Sequence, residues 1–270
     1  MRKTIKVLVV FVSMCLCVSL FPAFTSLAAL PGGGCGDGLK WQYNNGDLKI
    51  YSTGSGTGKM YDFPDNSPWY GYAMDIKTVS FSGTVTYIGE DAFGGLVNVT
   101  SIAIPSGVTK IGDYAFESCT GLVSVSIPNT VTSIGKHAFE WCTSLKTVFI
   151  PSSVTSIGDY AFYACSSLTK VSGGSKVKTI GKYAFSYCPK LKSVSITSPV
   201  LKKIGACAFF KTGSLKTLYI RKTTKLTKSG VKKSLKGSSI KTVKVKKSKV
   251  KKYKKYFKKS NSGRKVKVRK

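Results

Sequence analysis

The chain has 270 residues, is 42% hydrophobic and carries a formal net charge of +32, from 43 Lys/Arg against 11 Asp/Glu, with one histidine. That length and apolar content allow a fully cored domain. A single histidine and no convergent pair of acids leave too little for general acid–base or nucleophilic catalysis, so the composition argues against an enzyme. The charge is one-sided: all 11 acids precede Tyr160, and 33 of the basic residues lie from Tyr160 onward.

In chain order, residues 1–28 have the form of a secretory signal: Arg2, Lys3 and Lys6, an apolar run from Val7 to Phe21, then Ser26-Leu27-Ala28 as a small-x-small cleavage site. Cleavage after Ala28 would remove Cys15 and Cys17 and leave six cysteines. No later apolar run is long enough to span a bilayer, so no transmembrane segment is expected after cleavage.

Residues 29–75 are expected to form an N-terminal β cap module. Leu39-Lys-Trp41-Gln-Tyr43 and Leu48-Lys-Ile50-Tyr51 alternate apolar and polar around Asn44-Asn45-Gly46, a hairpin signal. Trp69, Tyr70 and Phe63 then suit a lid over the first coil of a stacked body, or alternatively an aromatic binding platform.

Residues 76–220 repeat one phrase. The phenylalanine of an Ala-Phe pair falls at Phe93, Phe116, Phe139, Phe162, Phe185 and Phe209, in steps of 23, 23, 23, 23 and 24. A fixed period of this length predicts a solenoid, whose coils bury their apolar faces only by stacking. Each Leu-x-x-Val-x-Ile reads as a short strand with Val and Ile facing inward, and these strands should form a parallel sheet on the concave face. The convex side is expected to be irregular or briefly helical. The glycine after Ile (Gly112, Gly135 and equivalents) reads as a turn residue at positive φ. The phenylalanines should stack as an internal spine.

Cys119, Cys142, Cys165 and Cys188 share one repeat position. Side chains in such a column point the same way, which suits neither disulfides nor converging metal ligands, and they are expected to pack as small apolar groups. Cys207 is displaced to the column of Tyr114, His137, Tyr160 and Tyr183, and Cys35 lies in the cap; both read as free or available for intermolecular pairing. His137 is expected to pack in that column. No cofactor motif appears.

Residues 221–270 are read as lysine-rich divergent repeats closing the rod. Ile240 to Val245 and Lys265 to Val268 continue the strand pattern, for about nine rungs in all. Two helices are expected, over 231–236 capped by Ser229 and over 249–259 with a Val250, Tyr253, Phe257 stripe.

The unit Ile-Pro-x-x-Val-Thr-x-Ile-Gly-x-x-Ala-Phe-x-x-Cys-x-x-Leu-x-x-Val, repeated in six copies, resembles the BspA-like leucine-rich-repeat family. The front segment from Cys35 to Val79 is similar to a module that precedes such repeats in secreted proteins of Gram-positive anaerobes. The resemblance implies a secreted or cell-surface adhesion or recognition protein with no catalytic activity, and it carries over no binding residue. Leu96 and Thr212 replace Cys, and Gly173-Gly174 replaces Ile-Pro, in single copies.

The expected ligand face is the outward side of the strands, with Phe149, Lys170, Tyr219, Lys244, Lys265 and Lys267 as candidate contacts. Lys246, Lys247, Lys251, Lys252, Lys254, Lys255, Lys258 and Lys259 are candidates for polyanion binding. The expected partners are a host or neighbouring-cell surface protein or glycan and anionic cell-wall polymer, with nucleic acid bound only nonspecifically.

Overall fold

A computed structural model describes residues 30–220, 222–223 and 225–270. The expected signal segment with Cys15 and Cys17, and Arg221, lie outside the described residues. None of the described helices is long and apolar enough to cross a membrane.

The body opens with three strands, β1 (Gly32–Gly36), β2 (Leu39–Asn44) and β3 (Asp47–Ser52). β2 and β3 form the expected antiparallel hairpin, turning at Asn45 and Gly46 with φ of 43° and 90°. Positive φ at both central residues gives the turn the twist of its strands. The glycine-rich β1 was not legible as a strand; it pairs antiparallel with β2.

Each coil then holds a longer strand followed by a two-residue one: β4 (Thr78–Ser82) and β5 (Tyr87–Ile88), β6 (Ser101–Ala103) and β7 (Lys110–Ile111), β8 (Ser124–Ser126) and β9 (Ser133–Ile134). The series continues with β10 (Thr147–Ile150) and β11 (Ser156–Ile157), β12 (Lys170–Gly173) and β13 (Thr179–Ile180), β14 (Ser193–Ile196) and β15 (Lys203–Ile204). β16 (Thr217–Ile220), β17 (Thr242–Val245) and β18 (Lys267–Arg269) complete nine longer strands. β4 extends the cap sheet by pairing parallel with β3. β6 pairs with β8, and β10, β12, β14, β16, β17 and β18 form one parallel ladder with Val148, Val171, Val194, Leu218, Val243 and Val268 in a single buried row.

The two-residue strands make a second parallel sheet, β5 to β15, which the sequence reading missed. The rest of each coil is a run of turns, as expected of the convex side, and it too is hydrogen-bonded from coil to coil. Alternate residues donate N–H to the next coil: Tyr114 to Lys136, Phe116 to Ala138 and Ser118 to Glu140, at 2.7–2.8 Å. To aim these groups outward the chain holds Tyr114, His137, Tyr160 and Tyr183 at φ of 54–59°. The same holds for Ser118, Trp141, Ala164 and Tyr187. Left-handed backbone costs L-residues about 1–2 kcal/mol each, and here a coil-to-coil hydrogen bond offsets it at each position.

The glycine column therefore has a different cause from the one expected. Gly112, Gly135 and Gly158 are not at positive φ. A Cβ on Gly158 would lie 2.4 Å from the Gly135 oxygen and 2.6 Å from the Lys136 nitrogen, so the glycines are required by contact of one backbone with the next. The phenylalanine spine is as expected: rings from Phe93 to Phe209 stack 5.1–5.8 Å apart and are fully buried. Trp69 closes its front end, stacked 5.6 Å from Phe93 and donating Nε1–H to the Ala92 carbonyl at 2.8 Å.

After β16 the expected helix over 231–236 does not form. Ser229–Val231 is a single 3-10 turn, Lys233 stands at φ 55°, and the Lys233 and Leu235 N–H groups bond the carbonyls of Asn261 and Ser262. The segment is another coil, with buried Leu235 two places after Lys233 as Phe209 is after Cys207. The second expected helix is present but shorter, as α1 (Val250–Tyr256) followed by α2 (Lys259–Ser262); Tyr253 and Phe257 are buried.

Candidate functional site

Alternation along the longer strands sends two residues per coil outward. From β10 the first outward column runs Thr147, Lys170, Ser193 and continues Thr217, Thr242, Lys267. The second runs Phe149, Ser172, Ser195, Tyr219, Lys244, Arg269. Of the sequence candidates, Phe149, Tyr219 and Lys244 thus stand in one column, with Lys170 and Lys267 in its neighbour. Lys265 does not join them. The step from Val243 is 25 residues, so Val268 occupies the buried row, Lys265 precedes the strand, and Arg269 takes the outward place.

Phe149 is 64% exposed on this face. Two hydroxyl-bearing coils separate it from Tyr219, a span of about 14 Å at one strand spacing per coil. The column passes from an aromatic ring over a serine floor to a second ring and then to two cations.

The eight candidate polyanion lysines are all exposed but sit elsewhere. Lys246 and Lys247 follow β17, and Lys251, Lys252, Lys254 and Lys255 surround α1, which turns Tyr253 into the core. Lys258 and Lys259 lie at the passage into α2. They occupy the return segment between β17 and β18, while Lys244 and Lys267 point from the strands themselves.

The thiols are structural. Each of Cys119, Cys142, Cys165 and Cys188 donates its S–H to a phenylalanine carbonyl of the preceding coil, at 3.0–3.3 Å. Burial pushes the Cys119 and Cys188 thiols up to about 12. Cys35 and Cys207 are free thiols, yet both are buried, so neither is available for the intermolecular pairing expected of it. His137 lies between the rings of Tyr114 and Tyr160, at 4.5 and 4.8 Å, with Nδ1 against the Glu140 carboxylate. Among the described residues no cluster of three or more His, Cys, Asp or Glu is placed to hold a metal.

Two further groupings escaped the sequence reading. On the turn side Trp141, Tyr163, Tyr187 and Phe210 form a ridge of rings 5.2–6.1 Å apart, with Trp141 49% and Tyr187 37% exposed and the Lys211 ammonium 4.8 Å from the Tyr187 ring. It draws on two adjacent repeat positions, Trp141 with Tyr187 46 residues on and Tyr163 with Phe210 47 residues on, so no single i+23 series shows it. Where cap meets first coil, Asp62 accepts hydrogen bonds from Tyr87 Oη at 2.6 Å and from the Glu90 N–H at 2.8 Å. Lys59 and Lys110 ammonium groups lie 5.6 and 5.5 Å from the Tyr87 ring. Burial pushes the Asp62 carboxyl up, but the Glu90 N–H, the Tyr87 hydroxyl and these lysines outweigh it and hold it below the ordinary carboxylate value. These contacts join Asp62 to Tyr87 and Glu90 of the first coil.

A family model describing a BspA-type leucine-rich repeat region of six copies matches residues 67–192, 109–234 and 136–264 in overlapping placements. No curated protein sequence matches the chain. Among solved structures, the leucine-rich repeat protein of T. pallidum is 23% identical over 66% of this chain and 88% of its own, with a TM-score of 0.53. A leucine-rich repeat protein from Bacteroides ovatus is 24% identical over 78% of this chain and 70% of its own, at a TM-score of 0.36. One from Eubacterium ventriosum is 18% identical over 80% and 85%, also at 0.36. The T. pallidum likeness agrees with the solenoid fold.

Proposed function

The chain belongs to the BspA-type leucine-rich-repeat family, and we propose that it is a non-catalytic adhesion or recognition protein acting at the cell surface or after secretion. The family's fold is that of a binding scaffold. In this reading residues 1–28 export the chain, 29–75 cap it, 76–220 recognise a protein or glycan of a host or neighbouring cell, and 221–270 hold it on anionic cell-wall polymer.

The observation that carries the reading is the division of the outward column, with Phe149 and Tyr219 over a hydroxyl floor and cations only at the rear. A sheet holds the backbone under these side chains already ordered, which lowers the cost of binding, and aromatics such as the exposed Phe149 anchor interfaces. The rear retains its charge because no acid occurs from Tyr160 on, and such a density attracts polyanions with strong salt dependence.

Washing purified walls at rising salt tests the attachment: release by about 1 M salt, where the Debye length is about 3 Å, is expected. Release by detergent alone would refute it. The lysine excess also favours a second reading, in which the repeats are scaffold and the protein is a diffusing polyanion binder. Changing Lys246, Lys247, Lys251 and Lys252 to Gln separates the two. If a matrix ligand still binds that variant, and is lost instead on Phe149→Ala, the strand face carries recognition.

A further inference from the structure

We propose that the cleft between the coil of Phe209 and the coil behind it is a discrete site for one oxyanion, a phosphate or sulfate group. The site is separate from the polyanion surface proposed above, because none of the lysines from Lys246 to Lys259 lines the cleft.

One position of the repeat is built to receive a carboxylate. The residue after the repeat glycine is Glu90, Asp113, Lys136, Asp159, Lys182 and Ala206 in successive coils. The Glu90 N–H donates to the Asp62 carboxylate at 2.8 Å, the Lys136 N–H to Asp113 at 2.8 Å and the Lys182 N–H to Asp159 at 2.6 Å. Each acid comes from the segment stacked in front. Asp113 and Asp159 carry the acid themselves. Ala206 neither carries an acid nor meets one, because the register of β13 with β15 sets Lys182 in front of it. Among the described residues the Ala206 N–H has no hydrogen-bond partner.

The side chains around that position are cationic. A cleft of about 230 Å³ is lined by Ala206, by Lys182 in front, by Lys203 of β15, and by Ser229, Lys232 and Lys233 from the following coil. All four lysines are exposed, and none forms an ion pair among the described residues. Asp159 lies beyond Lys182, with its carboxylate on that residue's N–H. Four like charges lining one cleft repel one another, and an oxyanion between them relieves the repulsion. Hydrogen bonds from ammonium groups to an anionic oxygen are about twice as strong as neutral ones, and lysine binds phosphate as a point charge. A doubly charged group matches four cations better than a single carboxylate does. Pockets for drug-sized molecules measure about 300–1,000 Å³, so this smaller cleft suits one compact group.

The test is calorimetric titration of the full chain with inorganic phosphate, inorganic sulfate and a sulfated heparin disaccharide, at about 0.15 M ionic strength, where the Debye length is about 8 Å. One saturable anion per chain is expected. Binding of the inorganic ions alone identifies a free oxyanion as the ligand; binding of the disaccharide as well identifies a sulfate borne on a glycan. Ala206→Asp returns an acid to the column, as at Asp113 and Asp159. It should leave the circular dichroism unchanged and weaken binding at least about tenfold. K203Q/K232Q should weaken it likewise without adding bulk to the cleft. K246Q/K247Q/K251Q/K252Q removes four charges outside the cleft and should keep the saturable anion. No saturable anion in the unaltered protein, undiminished binding in either cleft variant, or loss in the quadruple variant overturns the site. Each of those results leaves the polyanion reading standing, since release from walls by salt tests that separately.

Discussion

From Phe93 to Phe209 a phenylalanine fills the centre of every coil, but in the next coil the same place holds Leu235. The cysteine position becomes Thr212 and then Ser238, each bonding a carbonyl of its own coil, Phe209 or Leu235, instead of one in the coil before. The alanine position becomes Ser234, whose buried hydroxyl has no partner. Yet β16, β17 and β18 stay in register with the coils in front. The backbone ladder propagates the architecture wherever apolar rows are kept. Identical side chains matter where each coil is clamped from both sides, and less at the end, where it is clamped from one.

Substitutions along the rod probe that contrast. The largest effect is expected from Gly158→Ala, because the new methyl would meet backbone of the neighbouring coil at 2.4–2.6 Å. A loss of at least about 3 kcal/mol is expected in urea unfolding. Gly213→Ala, whose nearest neighbour is the Pro189 oxygen at 3.7 Å, should stay within about 0.5 kcal/mol. Equal costs at the two positions would remove close approach as the cause of the glycine column.

Next come the spine residues. Phe162→Ala should cost about 3–5 kcal/mol and lower hydrogen-exchange protection along the rod, whereas Leu235→Ala should cost about 2–4 kcal/mol with the loss confined to the last coils. Global loss in both variants would show that the rear is as tightly coupled as the middle.

The thiols give a smaller, pH-dependent signal confined to the front. Ellman's reagent should find none of the six described cysteines in the native protein and all of them after denaturation, because every one is buried. Unfolded thiols ionise from about 9, while folded Cys119 and Cys188 ionise only near 12. The raised folded values mean that this contribution is complete below about 9 and is lost as pH rises toward 12. The urea midpoint should therefore fall between neutral pH and pH about 10, and reactive native thiols would contradict the packing.

The smallest stability effect is expected at Phe149→Ala. Its ring is mostly in water, so unfolding should change by no more than about 0.5 kcal/mol, while binding to the strand-face ligand weakens. A large stability loss would make Phe149 a packing residue.

Much of this was legible in the residues. A period of 23 with Val and Ile in alternation set the inward rows, and the stack of phenylalanines followed from their shared position. The left-handed Tyr, His and Trp positions were not legible, because nothing in those residue types signals positive φ. The glycines misled for the same reason: a sequence shows that a Cβ is absent but not whether conformation or contact requires it. The helix over 231–236 looked plausible locally and lost to a ladder whose partners, Asn261 and Ser262, lie a coil away. Lys265 was misplaced because the last step is 25 residues, a slip that moves a whole strand along its partner.

Periodicity and composition were enough to establish that the chain is a solenoid, which residues face its core and that its charge gathers at one end. Three features came from the folded molecule alone. The return path is a hydrogen-bonded ladder, Cys35 and Cys207 are sealed like the other thiols, and the lysines stand on two sheets at once. Each depends on what the neighbouring coil places against a residue, and that neighbour lies 23 or more positions away in the chain.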